Sequence, residues 1–230
     1  MNADGHWMPL ESNSEWTKQA GLDTSSHHFE DVYGFDPELL ALLTEPVIAA
    51  LLVFPISEQL ENKRREEDEK LHADADEQTQ IALSSLFWIK QTIPASCGTI
   101  GMLHILANTP VSIKANSPLK QFYEACKDKS PEEKALMLES THVFANIHLE
   151  ASPGQSDVTD DPSTRLHFTC FAKARCFGQY RLIEFDGRRK GPIDRGECQS
   201  FITDVTKVIK EKYLVGTKSD KYSMIVLCGS

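Results

Sequence analysis

The longest apolar run extends from Pro46 to Ile56, between Glu45 and Ser57. Val47 to Phe54 is apolar on both faces and flanked by prolines, which predicts a strand in the middle of a covered sheet. Upstream, Trp7 to Glu11 reads as a short strand. Ser12 and Glu15 form a capping box that opens a brief helix ending near Gly21. Asp23 to His28 is polar and turn-rich. Asp36 and Pro37 then cap a helix over Glu38 to Leu43. From Ser57 to Asp76 only Leu60 and Leu71 are large and apolar, so a helix there is expected to be solvated nearly all round and mobile.

Strand character returns over Leu83 to Gln91, with Phe87, Trp88 and Ile89, and a helix follows from about Cys97 to Ala107. Ser-Pro pairs open two further helices, Pro118 to Lys127 and Pro131 to Ser140. Another is predicted over Thr141 to Ala151. Ala151 to Arg165 carries two prolines and three aspartates with one large apolar residue, which suits no packed element. A hairpin comes next: Leu166 to Ala174, a turn near Cys176 to Gly178, and Gln179 to Asp186. Glu197 to Tyr213 reads as an amphipathic helix, and Tyr222 to Cys228 as a closing strand. Helices and strands interleave while the hairpin requires antiparallel pairing. The fold class is therefore α/β or α+β in one domain.

The 230 residues carry 24 Lys plus Arg against 34 Asp plus Glu, a formal net charge of −10. Dense basic runs occur only at Lys63 to Arg65 and Arg188 to Lys190, which argues against nucleic acid as a partner. Six cysteines show no paired zinc or disulfide-framework spacing. They point to reduced thiols in the cytoplasm, with the nucleus as a second compartment. No segment reaches the about 20 apolar residues that span a bilayer, so no membrane partner is expected.

The stretch Lys90 to Asn108, KQTIPASCGTIGMLHILAN, ends a strand, breaks it at Pro94 and starts a helix at Cys97. A thiol at a helix N-terminus faces unpaired N–H groups and the positive end of the dipole, which favour a thiolate nucleophile. Gly98 and Gly101 would permit close approach of a neighbouring element. The same residues also fit a small buried Cys on a tightly packed helix.

A nucleophilic thiolate needs a base, and the eight histidines divide by position. His104 follows Cys97 by seven residues, about 10 Å along the helix, and is expected in the core. His27 and His28 fall in a turn, His72 in the charged run, and His142 and His148 on opposed helix faces. No metal site or cofactor is expected. His167 begins a hairpin strand whose partner ends at Asp186. A turn centred between Cys176 and Phe177 would set the two residues directly opposite, where the carboxylate could orient the imidazole. A purely structural cross-strand pair fits equally well. Gln91, six residues before Cys97, could supply an oxyanion donor.

Gln91, Cys97, His167 and Asp186, in the motifs KQTIPASCGTIG, LHF and EFDGRRKGPIDRG, resemble the ubiquitin C-terminal hydrolase family in its short, single-domain form. WMPLESN and DVYGFDPELL extend the match to nearly the whole chain, and the resemblance implies a single catalytic domain over residues 1–230. The resemblance implies Cys97 as nucleophile, His167 as base and acid, Asp186 as its orienter and Gln91 as oxyanion donor. It also implies a papain-like architecture, a central antiparallel sheet between helices, and a knotted backbone. A crossover loop at about 152–164, including Gly154, Gln155 and Ser156, would limit substrates to small adducts and short extensions of ubiquitin. Pro9, Leu10 and Asp31 align with ubiquitin-contacting stretches. A monomer is expected. Ala95 stands where the family usually has Asn, the first helical segment is shortened, and the His-to-Asp hairpin is longer than usual. These departures keep two other readings open: a ubiquitin-binding module with weak or no catalysis, and a hydrolase preferring a ubiquitin-like modifier.

Overall fold

A computed structural model describes residues 14–94, 96–144, 166–176, 178–215 and 222–229. Its centre is a six-stranded sheet of β1 (His27–Val32), β2 (Val47–Pro55), β3 (Leu166–Cys176), β4 (Gln179–Phe185), β5 (Ile193–Glu197) and β6 (Ser223–Gly229). The order is β1-β6-β2-β3-β4-β5, with each neighbouring pair antiparallel. β2 lies inside the sheet and is buried along both faces, as its continuous apolar run requires.

Alternation along β2 assigns its side chains to two cores. Ala49 and Leu51 join Ile225, Leu227, Cys170 and Ile183 beneath a helical layer, which is built from α1 (Ser14–Ala20), α5 (Cys97–Asn108), α6 (Pro118–Ala125) and α7 (Pro131–Ser140). Ala50, Leu52 and Phe54 face the other way, with Phe171, Met224 and Val226. There they meet Val205 and Ile209 of α8 (Phe201–Lys212) and Leu60 of α3 (Glu58–Asp74). The remaining helices among the described residues are α2 (Pro37–Leu40) and α4 (Glu77–Ser84).

α5 runs closest to the sheet. Nine consecutive residues, Gly98 to Leu106, are buried in it, and a Cβ on Gly101 would come within 2.6 Å of Leu51 Cδ1. The glycine lets helix and strand approach at that level.

Several elements differ from the sequence reading. Leu83 to Gln91 is not a strand: α4 ends at Ser84 and the chain continues in extended, irregular form. Its backbone groups are satisfied singly. The Phe87 N–H and C=O pair with the Asn108 amide, and the Ile89 N–H donates to His104 Nε2 at 2.9 Å. Apolar residues were needed there for burial, but the hydrogen-bond partners are α5 side chains and single backbone carbonyls of Pro131 and Gly187, not a neighbouring strand. β1 and β5 occupy segments that carry few β-branched or alternating apolar residues, and periodicity did not reveal them. α2 stops at Leu40, and α8 begins at Phe201 because Glu197 belongs to β5.

The mobile, solvated helix expected after Ser57 is instead docked by charge. Among the described side chains of α3, Leu60 and Arg64 are buried. Glu67 accepts from Arg189, Arg195 and Lys212, and Asp68 accepts from Arg189. Arg195 also binds Glu184, itself wholly buried beneath Thr169 and the Tyr213 hydroxyl. Buried charges persist only when paired in this way. No described helix is long and apolar enough to cross a membrane.

Candidate active site

Cys97 is the first residue of α5, and the residue before it explains why the helix end stays open. Ser96 is buried, but its hydroxyl donates back to the Ile93 carbonyl at 2.8 Å and does not cap the helix. The first N–H groups of α5 are thereby left without a side-chain cap, as an anion-binding helix start requires.

His167 lies on β3 opposite Phe54 of β2, 2% exposed, with the two rings edge to face at 5.6 Å. Its Nε2–H donates to both Asp186 oxygens at 2.9 Å. Cys97 is close enough to the same imidazole to act on its charge. With Nε2 committed to the carboxylate, Nδ1 is the ring nitrogen available to the sulfur. Burial opposes a charge on the ring, but the Asp186 charge and hydrogen bond, with Cys97, raise the His167 pKa to about 9. Burial likewise works against the Asp186 carboxylate. The charges of His167 and Arg64, and hydrogen bonds from His167 and the Arg188 N–H, hold its pKa well below the usual range.

The way His167 and Asp186 meet corrects the expected register. Cys176 stands opposite Gln179, so the turn is centred one residue later than the sequence reading placed it. The β3–β4 ladder stops at Cys170 opposite Phe185. Continued by one step, it would set Asp186 across from Thr169, not His167. A shift of two positions in partner preserves the face, and the carboxylate reaches the imidazole diagonally.

Gln91 does not end a strand. Its backbone N–H donates to Gly187 O at 2.8 Å, which ties it to the turn just beyond Asp186. A Cβ on Gly187 would lie 2.8 Å from Gln91 Cβ and 3.0 Å from Gln91 N, so the two segments meet at glycine distance. The Gln91 side-chain amide donates to Ile93 O at 3.3 Å, and its Oε1 is buried without a partner among the described residues. His167 and Asp186 are thus joined directly, Gln91 is tied by its backbone to Gly187 next to Asp186, and Cys97 opens α5 close enough to act on the His167 charge. Of the expected substrate contacts, Asp31 is an exposed residue of β1. Pro9, Leu10, Gly154, Gln155, Ser156, the loop at 152–164 and Ala95 lie outside the described residues.

Two residues of this site escaped the sequence reading. Arg64 of α3 pairs with Asp186 Oδ2, and its guanidinium lies 5.4 Å from the Phe54 ring centre. Trp88 Nε1 donates to the Asp186 carbonyl at 3.2 Å. Charge alternation along α3 gave no signal that one of its arginines turns inward. The tryptophan was read as part of a strand and nothing more.

Residues 7–213 match the sequence model of ubiquitin carboxyl-terminal hydrolase, family 1. The chain is 34% identical to ubiquitin carboxyl-terminal hydrolase 3 of Arabidopsis thaliana, over 96% of this chain and 93% of that protein. It is 32% identical to ubiquitin carboxyl-terminal hydrolase isozyme L1 of Sus scrofa, over 96% and 97%. Its fold is similar to the UCH37 catalytic domain of Trichinella spiralis, solved bound to ubiquitin vinyl methyl ester. That likeness has a TM-score of 0.73 at 18% identity and covers 99% of this chain and 98% of the other. The chain belongs to ubiquitin carboxyl-terminal hydrolase family 1, the thiol-dependent ubiquitin hydrolases.

Proposed function

We propose that this chain releases small adducts and short peptide extensions from the C-terminal glycine of ubiquitin through a Cys97, His167 and Asp186 triad. The observation that carries the reading is the buried His167 imidazole, clasped by Asp186 through Nε2 and near enough to Cys97 for the thiol to act on its charge. Asp186 fixes the ring so that Nδ1 takes the thiol proton, and the resulting sulfur attacks the glycine carbonyl. The oxyanion is received by the Cys97 N–H and by Gln91, which exchanges its long bond to Ile93 for the developing charge. His167 then protonates the departing amine, leaving a thioester. Water, deprotonated by His167, hydrolyses it and restores the thiol.

Asp31, exposed on the edge strand, suits the basic tail of ubiquitin. The loop at 152–164 would limit the size of the leaving group. Six free cysteines suit action in the reducing cytoplasm or nucleus.

Release of a fluorophore from the ubiquitin C-terminus tests the proposal. Cys97→Ala is expected to abolish turnover while leaving the fold intact, and a Cys97→Ala protein that still releases the fluorophore contradicts it. Parallel kinetics on a ubiquitin-like modifier identify the preferred partner.

A further inference from the structure

Away from the catalytic cleft, strand pairing brings together residues from opposite ends of the chain. His28 and Glu30 are two apart on the edge strand β1 and share a face, while Cys228 of β6 stands directly opposite His28. One His28 ring nitrogen, one Glu30 oxygen and Cys228 Sγ all lie within 4.8 Å of one another.

The surroundings organise this group as a ligand set. The Thr44 N–H donates to Glu30 Oε2 at 3.0 Å, orienting the carboxylate and leaving Oε1 on the side of His28. The His28 and Glu30 side chains are 44% and 24% exposed, so the cluster has an entry path, while Cys228 forms its buried floor. Glu45, in the loop that leads into β2, is close enough to act on the charge of Cys228. Strand backbone, not flexible loops, holds all three donors, which limits the rearrangement that binding would demand.

We propose that His28, Glu30 and Cys228 form a binding site for a divalent ion of the zinc or cobalt type. One imidazole nitrogen, one carboxylate oxygen and one thiolate make a borderline-soft donor set that favours these ions over magnesium or calcium. Three protein ligands leave a fourth tetrahedral position for water on the exposed side. Binding exchanges the 2.7 Å His28–Glu30 hydrogen bond for two metal bonds. It also converts the Cys228 S–H to a metal thiolate, releasing one proton per ion. Glu30 and Cys228 together balance the two charges of the ion. The ion would fasten the edge strand β1 to β6, the strand that continues the sheet into its core.

The sequence gives no hint of this site because two donors follow strand spacing and the third comes from the other end of the chain. No helical or CxxC interval connects them.

Cobalt titration of the full chain tests the proposal, with Cys97→Ser as background to remove the one described thiol that is not buried. One equivalent of cobalt should produce a thiolate-to-cobalt charge-transfer band that zinc displaces. His28→Ala and Cys228→Ser should each abolish that band. Glu30→Gln should weaken apparent affinity by at least about tenfold. His28 is largely at the surface, so its variant remains informative even if Cys228→Ser fails to fold. Absence of a thiolate band, or a band unchanged in His28→Ala, would overturn the proposal. Amide exchange in β1 gives a second readout: zinc should slow it in the Cys97→Ser protein and leave it unchanged in His28→Ala.

Discussion

α5 and α3 both end their argument at the same carboxylate, by opposite physics. α5 is buried over nine consecutive residues and lies on the sheet through apolar contact, presenting Cys97 to His167. α3 buries only Leu60 and Arg64 among its described side chains, and is held by Arg189, Arg195, Lys212 and Asp186. The apolar helix places the sulfur, whereas the charged helix backs the acid. Apolar docking is encoded locally and can be read from one segment. Ion-pair docking is encoded jointly by segments far apart, because each partner looks like an ordinary surface charge until the fold joins them.

Asp186 is the residue on which the two helices converge, and its replacement is expected to have the largest effect. Asp186→Asn should lower kcat by about 10⁴-fold, the scale on which a triad loses its orienting carboxylate. A loss below tenfold in steady-state hydrolysis would mean that His167 needs no such partner. Arg64→Met preserves much of the stem volume but removes the buried cation. Its cost, measured by urea unfolding, should be about 3–5 kcal/mol, as for other broken buried pairs. A neutral result would make α3 a bystander.

On the apolar side, Leu103→Ala in α5, where Leu103 is fully buried, should cost about 2–5 kcal/mol. That loss should be the same in low and high salt. Glu67→Gln weakens the acceptor shared by three cations and should cost about 1–3 kcal/mol. Because Lys212 is 49% exposed, part of this loss should disappear at high salt, in contrast to Leu103→Ala. Equal salt responses in the two variants would erase the distinction between the helices.

The smallest effect is a slope with pH. The His167 pKa is raised from 6.5 to about 9, so its contribution to stability is complete below about 6.5 and fades as pH climbs through about 9. Stability measured across that window should fall less steeply in Asp186→Asn than in the unaltered protein.

How far the sequence carried the reading follows the same division. The buried strand β2, the helix behind Cys97 and the β3–β4 hairpin were legible because their patterns are local. Cys97, His167 and Asp186 could be proposed from a helix start and a hairpin, whereas Gln91 was proposed as the end of a strand that the fold does not contain. The register was misplaced by one residue at the turn, yet the pair survived because the error in partner was even. Leu83 to Gln91 looked like a strand because its apolar residues are buried, although Asn108 and His104 supply its hydrogen bonds. Arg64 was invisible because its meaning depends on Asp186, far along the chain.

Treating the purified chain with ubiquitin bearing a C-terminal vinyl methyl ester, then digesting and mapping the adduct, tests the central claim most directly. The account predicts one covalent adduct, on Cys97, whose formation slows sharply in His167→Asn. Retention of the probe with no covalent bond, or an adduct on any other cysteine, would contradict it.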